Sequence, residues 1–390
     1  MPVKLMKVDY YKIEELLTQE ERLVTSTVKK FTQDIMPVIQ KCFREHRPFP
    51  VDIVREMGKL GLFGSTIEGY GCPGMSYVVY GLICQELEHG DSALRSFVSV
   101  QSSLVMYPIY TFGSPEQKRY WLPKLATGEK IGCFGLTEPD FGSNPGGLQT
   151  RAVRDGNHYV LNGTKLWISN GSIADVAVIW AKTEDNVIRG FLVERTTPGF
   201  STSPIEGKFS LRAQDTAELV LADCRIPEKN MLPEAKGIKA PLSCLTQARY
   251  GIAWGVMGAA ISCYETVLSY AKERIQFDKP IAAFQLVQQK LVRMITEITK
   301  GQLLALRLGR LMDEGRATYA QVSMAKLNNV HEALKIAREA RDILGAYGIV
   351  DEYPIIRHML NLESVYTYEG THDIQLLIVG SDITGLRAFT

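Results

Sequence analysis

Asp155-Gly156-Asn157-His158-Tyr159-Val160-Leu161-Asn162-Gly163-Thr164-Lys165-Leu166-Trp167-Ile168-Ser169 reads as strand sequence, and it lies between two long regions of helical periodicity. Asp155-Gly156 and Asn162-Gly163 are the strongest short-range hairpin signals. Around it, Thr150–Val153, Tyr159–Leu161, Lys165–Ser169, Val176–Ala181, Ile188–Val193 and Leu219–Leu221 are short runs rich in β-branched or aromatic residues. Pro227 and Pro233 then mark a linker. Residues 131–238 are therefore expected to form a middle antiparallel β domain, a small barrel or sandwich.

Upstream, Gln19 to Ile35 predicts a helix that Pro37 closes. Val51 to Leu60 carries a short apolar stripe ended by Gly61, and Thr66 to Gly74 is dense in breakers and reads as a loop. Tyr77 to Glu88 reads as a largely buried helix, and Ser114-Pro115 as an N-cap followed by proline at the first helical position. Downstream, Val287, Leu291, Met294, Ile298, Ala305, Leu308 and Met312 repeat by threes, fours and sevens, the core-facing seam of a long helix that Gly315 stops. A second helix runs from about Tyr319 to Leu344 with Gly345 as C-cap, and a third covers about 247–274. The expected fold class is α+β, with an N-terminal α-helical domain (1–130), the middle β domain (131–238) and a C-terminal four-helix-bundle domain (239–390).

A chain of 390 residues, 45% of them hydrophobic, suffices for such cores. Lys+Arg 44 against Asp+Glu 43 leaves +1, so no global charge argues for a nucleic-acid partner. Seven scattered cysteines without a CxxC predict reduced thiols, with neither a disulfide framework nor a metal site. No apolar run reaches the roughly 18 residues of a membrane span. Met1 to Asp9, with Glu14 and Glu15 close behind, resembles neither a secretory signal nor a transit peptide. A cytoplasmic protein is expected, or one of the mitochondrial matrix if a transit peptide has been removed.

Five segments carry candidate chemistry. In Tyr366-Thr367-Tyr368-Glu369-Gly370-Thr371-His372-Asp373, apolar neighbours can desolvate Glu369 and make it a better base. The ordinary alternative is a solvated loop glutamate. In Gly132 to Asn144, glycines around Thr137 and Ser143 permit close approach of backbone to a ligand, or mark a plain turn-rich strand entry. In Lys165 to Gly171, Trp167 and Ser169 can wall a planar ring and meet its heteroatom, or belong to a β core. Arg274 to Gln285 offers an arginine at a helix end, as ligand or as counter-charge. In Glu88 to Ser96, Glu88, Asp91 and Arg95 share a face if helical, as an exposed ion ladder or as an arginine clamp for an anion.

In this order, and with this helix–β–helix organisation, the segments resemble the flavin-dependent acyl-CoA dehydrogenases over nearly the whole chain. The most specific pieces are Leu136–Ser143, Trp167-Ile168-Ser169-Asn170, Arg274-x-Gln276-Phe277 and Tyr368-Glu369-Gly370-Thr371. Arg95-Ser96 with Ser99 to Met106, Arg249 to Gly255, and Thr367 to Asp373 are similar to the glutaryl-CoA branch. The resemblance implies FAD between the β domain and the bundle. Leu136, Thr137, Trp167 and Ser169 would contact its ring, and Ser143 the cofactor and the thioester region. Thr371 and Asp373 would hold the ADP part. Arg274, Phe277 and Gln285 would reach the FAD of a neighbouring subunit, hence a homotetramer. Glu369 matches the family's catalytic base; Ala248 rules out the alternative position before Arg249. Arg95 matches the arginine that binds the distal carboxylate of glutaryl-CoA, with Glu88, Ser96, Tyr368 and Arg249 among the substrate-binding positions. The implied reaction is oxidation and decarboxylation to crotonyl-CoA and CO2, with electron-transfer flavoprotein as acceptor. Alternatives are a dehydrogenase or oxidase for another acyl thioester on CoA or a carrier protein, a non-decarboxylating glutaryl-CoA enzyme, and a non-catalytic flavin protein of this fold. Asp278, Gln214, Asp215, Asn144, Phe141 and Tyr347 depart from the family pattern around the FAD pocket.

Overall fold

The computed structural model describes residues 8–47 and 49–388; the N-terminal stretch read for targeting lies, up to Lys7, outside them. The chain opens with α1 (Gln19–Glu45), α2 (Val54–Lys59), a two-strand ladder of β1 (Glu68–Gly69) and β2 (Cys72–Pro73), α3 (Tyr77–Gly90), α4 (Ser92–Ser99), a π-helical turn over Val100–Met106, α5 (Tyr107–Phe112) and α6 (Pro115–Ala126). Capping boxes start α1 at Thr18 with Glu21, and α6 at Ser114 with Gln117. Pro37 does not close α1. The carbonyl it deprives of a partner belongs to exposed Gln33, which water can satisfy, and burial of Ile39, Cys42 and Phe43 beyond it holds the last turns.

The β domain contains β3 (Gly132–Gly135), β4 (Arg151–Asp155), β5 (His158–Ser169), β6 (Val176–Lys182), β7 (Ile188–Glu194), β8 (Phe200–Pro204) and β9 (Thr216–Pro227). It is a mixed sheet, not the antiparallel one expected. β3 pairs parallel with β6 and β4 touches β6 in parallel, while the remaining ladders are antiparallel. Hairpin signals report on consecutive strands only; β3 and β6 are joined by a long crossover, which is what parallel neighbours require. Asp155-Gly156 turns β4 into β5 as expected. Asn162-Gly163 is no turn, because β5 runs through it with a bulge. A Cβ on Gly163 would lie 2.4 Å from Thr150 Oγ1, so the glycine serves close strand approach.

After the linker come α7 (Lys239–Glu273), the hairpin β10 (Ile275–Gln276) and β11 (Lys279–Pro280), α8 (Gln285–Asp313), α9 (Tyr319–Leu344), α10 (Ile355–Thr367) and α11 (His372–Thr384). The predicted seam of α8 is buried at Leu291, Met294, Ile298, Ala305 and Leu308. Gly345 ends α9 at φ 60°. Among the described residues α7 is the one helix long and apolar enough to cross a membrane, and most of that stretch is buried inside the protein, as a core helix is. All seven cysteines are free.

One apolar cluster joins the N-terminal helices to parts of α7, α8 and α9; the bundle and the sheet each add their own. The contact between α3 and α7 is unusually close. A Cβ on Gly258 would sit 1.9 Å from the Gln85 carbonyl, and one on Gly81 2.4 Å from the Trp254 ring. Helices this close leave no room for water between them, and the carbonyl of Gly90 at the end of α3 accepts from Arg357 Nη1 in the first turn of α10 at 2.7 Å.

Candidate active site

The loop between α10 and α11 is bent at Glu369 (φ 54°) and Gly370 (φ 87°). A left-handed non-glycine residue costs about 1–3 kcal/mol and persists only where its surroundings over-determine it. Here they do. Lys326 Nζ of α9 donates to the carbonyls of Tyr368 and Gly370, each at 2.6 Å. Arg249 Nε of α7 donates to the Glu369 carbonyl at 2.7 Å. Gln375 Nε2 reaches the carbonyls of Glu369 and Gly370 at 3.2 and 2.9 Å. With all three carbonyls turned to these donors, the Glu369 N–H has no acceptor among the described residues. Glu369 Oε2 is sealed from solvent without a partner, although the residue as a whole is only half-buried. Burial pushes the carboxyl pKa up, opposed by Arg95, Lys326 and Arg249. A carboxylate of raised pKa next to a free N–H can take a proton from a carbon acid while the N–H supports the charge forming on its carbonyl.

Beside it stands Arg95, fully buried on α4. Its Nε donates to Glu88 Oε2 at 2.6 Å and its Nη2 donates to the Tyr368 hydroxyl. Its Nη1 and Glu88 Oε1 are buried without partners. Burial works against the guanidinium charge, but Glu88 and Tyr368 hold its pKa well above the usual arginine value. The expected Glu88–Asp91–Arg95 ladder on one helix is not formed. Asp91 (φ −159°) breaks the chain between α3 and α4, caps α4 through Ala93 N, and pairs with Arg357 of α10. The break re-aims Arg95 toward Glu88, and neither is exposed. A Cβ on Gly255 of α7 would lie 2.2 Å from Glu88 Oε2, so this pair fits only beneath a glycine. Ser96 is buried next to them.

On the β domain, a bulge between Lys165 and Ile168 turns Trp167 outward at φ 63°, leaving a large aromatic ring 59% exposed. Leu166 N donates to Thr137 O at 2.9 Å, which places the Leu136–Thr137 segment beside that ring. Gln214 Nε2 donates to Ser169 Oγ, so the Ser169 O–H remains free to donate outward. Asp215 accepts from Ser172 N at 2.9 Å. The two unusual loop residues thus brace the wall from behind. An outward aromatic face flanked by a hydroxyl donor and a backbone segment fits a planar isoalloxazine ring. Beneath it Lys165, wholly buried, donates to Glu138 at 2.8 Å and to the Leu136 carbonyl at 3.2 Å. Burial pushes its pKa down to about 8. Lys165→Met leaves Glu138 with no cation in a dry setting; we expect a loss of about 3 kcal/mol in stability and weaker FAD retention. Thermal melting of the holoenzyme checks this, and an unchanged melting temperature would refute it.

Some expected site residues are not brought together within one chain. Ser143 is exposed on the loop after β3. Thr371 caps α11 through Ile374 N at 3.2 Å, and Asp373 is exposed on its first turn. Arg274 and Gln285 are exposed either side of the β10–β11 hairpin, and Phe277 at its tip is 87% exposed. Phe277 and Asp278 both have positive φ, as a type I′ turn demands, and aspartate tolerates that region. Phe141 packs on Gly147, and Tyr347 joins Tyr270 and Tyr353 in an aromatic cluster. Arg249, expected among the substrate-binding positions, donates through Nε to the carbonyl of Glu369. Sequence reasoning missed Lys326 and Gln375. The signal for Lys326 was present, since Val322, Ala325, Lys326, Asn329, Val330 and Ala333 form one buried face of α9 with a cation in it.

An exposed aromatic wall on the β domain and a desolvated carboxylate on a loop of the helical bundle are compatible with a flavoprotein oxidoreductase. The sequence patterns of the acyl-CoA dehydrogenase N-terminal, middle and C-terminal domains match residues 18–129, 133–224 and 235–384. The chain belongs to the acyl-CoA dehydrogenase family, and is an FAD-dependent enzyme acting on acyl-CoA thioesters. A glutaryl-CoA dehydrogenase from Mycobacterium smegmatis, solved in complex with FADH2, is 52% identical with a TM-score of 0.96, over 98% of this chain and 99% of that one. A glutaryl-coenzyme A dehydrogenase solved with glutaryl-CoA is 35% identical with a TM-score of 0.91, over 95% and 96%. The human mitochondrial short-chain specific acyl-CoA dehydrogenase is 35% identical over 96% of this chain and 92% of its own length.

Proposed function

We propose that this enzyme oxidises glutaryl-CoA and decarboxylates the product to crotonyl-CoA and CO2, with Glu369 as base and Arg95 as clamp. The observation that carries the reading is the buried Arg95, with Nη1 unpartnered, beside the buried oxygen of Glu369. A straight alkyl chain has no use for such a cation, and an arginine fork suits a carboxylate. In this reading Arg95 holds the distal carboxylate, flanked by Glu88, Ser96 and Tyr368. The thioester carbonyl accepts from the Glu369 N–H, and the carboxylate of Glu369 removes the α-proton. FAD, held by Leu136, Thr137, Trp167 and Ser169, supplies the acceptor for the β-hydride. The distal carboxylate is then vinylogous to the thioester. Loss of CO2 leaves its electron pair in a conjugated dienolate, and protonated Glu369 returns a proton to the γ-carbon.

Ser143 is assigned to the thioester region, and Thr371 and Asp373 to the ADP part. Exposed Arg274, Phe277 and Gln285 are assigned to the FAD of a neighbouring subunit in a homotetramer. Electron-transfer flavoprotein is the proposed acceptor. The test is anaerobic mixing of the yellow holoenzyme with glutaryl-CoA, followed by mass analysis. Bleaching with crotonyl-CoA and CO2 is expected. Glutaconyl-CoA as the end product would remove the decarboxylation, and bleaching only with butyryl-CoA would remove the clamp.

A further inference from the structure

The loop that carries Glu369 rests on a buried lysine. Lys326 is 1% exposed, and its ammonium bridges the carbonyls on both sides of Glu369. It stands on a fixed platform. One turn along α9, Asn329 Nδ2 donates to Ala253 O of α7 at 2.8 Å and Gly301 O of α8 at 3.0 Å. A Cβ on Gly370 would come within 2.5 Å of Gln375 Nε2 and 2.9 Å of Arg249 Nη2, so the loop cannot shift toward either neighbour. We propose that Lys326 is a positioning residue for proton abstraction: by gripping the Tyr368 and Gly370 carbonyls it sets the direction of the Glu369 side chain, and its charge keeps that carboxylate ionised in a dry site. The inference rests on Glu369 being the base.

Two consequences separate this from mere support. First, the grip turns the loop carbonyls toward α9 and so leaves the Glu369 N–H facing the substrate side. Second, Lys326 acts on the carboxyl through charge. The groups facing Glu369 are Cys84 of α3, Arg95 of α4, Arg249 of α7, Tyr368 of the loop, and Lys326, itself next to His372 of α11; Glu88 of α3 faces Arg95 and Tyr368. Lys326 is thus one of three cations, with Arg95 and Arg249, whose charge opposes the effect of burial on this carboxyl. Burial pushes the Lys326 pKa down to about 7, with Glu369 opposing that fall. Removing the cation therefore raises the Glu369 pKa further, and the acid limb of proton abstraction moves to higher pH.

The experiment follows flavin bleaching by glutaryl-CoA against pH in wild-type, Lys326→Met, Lys326→Gln, Lys326→Arg and Glu369→Gln holoenzymes. The carboxylic-acid infrared band of Glu369, identified by its loss in Glu369→Gln, is titrated alongside. Flavin content reports folding of each variant. Lys326→Met is expected to slow bleaching about 10- to 100-fold and to move both the acid limb and the infrared titration up by on the order of one pH unit. Lys326→Gln, which keeps a donor without charge, should recover part of the rate and keep the shifted limb; Lys326→Arg should return the limb toward wild type. A slow Lys326→Met or Lys326→Gln with an unmoved limb and band would overturn the charge role. Full bleaching by Glu369→Gln would instead overturn the assignment of the base, and this inference with it.

Discussion

Glu369→Gln is expected to slow flavin bleaching by glutaryl-CoA about 10³- to 10⁴-fold while changing substrate affinity by only a few-fold. The amide keeps the size of the side chain and can keep the left-handed backbone, since Lys326, Arg249 and Gln375 hold carbonyls and not the carboxylate. The N–H that we assign to the thioester oxygen and the Arg95 fork are both retained. What disappears is the carboxyl of raised pKa that we assign to receive the α-proton. Stopped-flow reduction together with equilibrium titration separates the two effects. In the wild type the rate should rise with pH through the Glu369 pKa, because the ionised form is the active one. The variant should lose that limb. A variant bleaching within tenfold of wild type would show that another group takes the proton.

Removing Arg95 should act on the acyl group and spare the chemistry. Arg95→Met deletes the buried cation that we assign to the distal carboxylate but strands Glu88 without its partner. The double variant with Glu88→Gln removes both charges and is the cleaner test. Losing a desolvated arginine–carboxylate contact costs about 3–5 kcal/mol, or roughly two to three and a half powers of ten at 1.4 kcal/mol each. We expect that loss in kcat/KM for glutaryl-CoA, with butyryl-CoA turnover unchanged or improved. Parallel loss on both substrates would mean that Arg95 supports the fold, and equal activity on glutaryl-CoA would void the clamp.

The layout of helices, sheet and bundle was legible because long periodic segments depend mainly on their own residues. Tyr319–Leu344 and the seam of Gln285–Asp313 are examples. Three local readings failed for a common reason. Pro37, Asn162-Gly163 and the Glu88–Asp91–Arg95 spacing each carry a local preference that distant atoms override. Those atoms are the buried far half of α1, Thr150 against Gly163, and Arg357 drawing off Asp91. The parallel β3–β6 pairing was likewise invisible to signals that join only neighbouring strands.

For the site, the sequence by itself determined which residue types were available: a glutamate between an aromatic and a glycine, an arginine seven residues after a glutamate, and a tryptophan two before a serine. It also determined the family, whose motifs are spread over most of the chain. Only the tertiary structure decided what each group does to the others. It buried Arg95 against Glu88 under Gly255, turned Trp167 outward on a bulge, and placed Lys326 and Arg249 under the loop of Glu369. The physical reason is that desolvation and Coulomb energy depend on distance and on excluded water. Contacts between residues 273 positions apart, as for Arg95 and Tyr368, arise only when the helices close on one another.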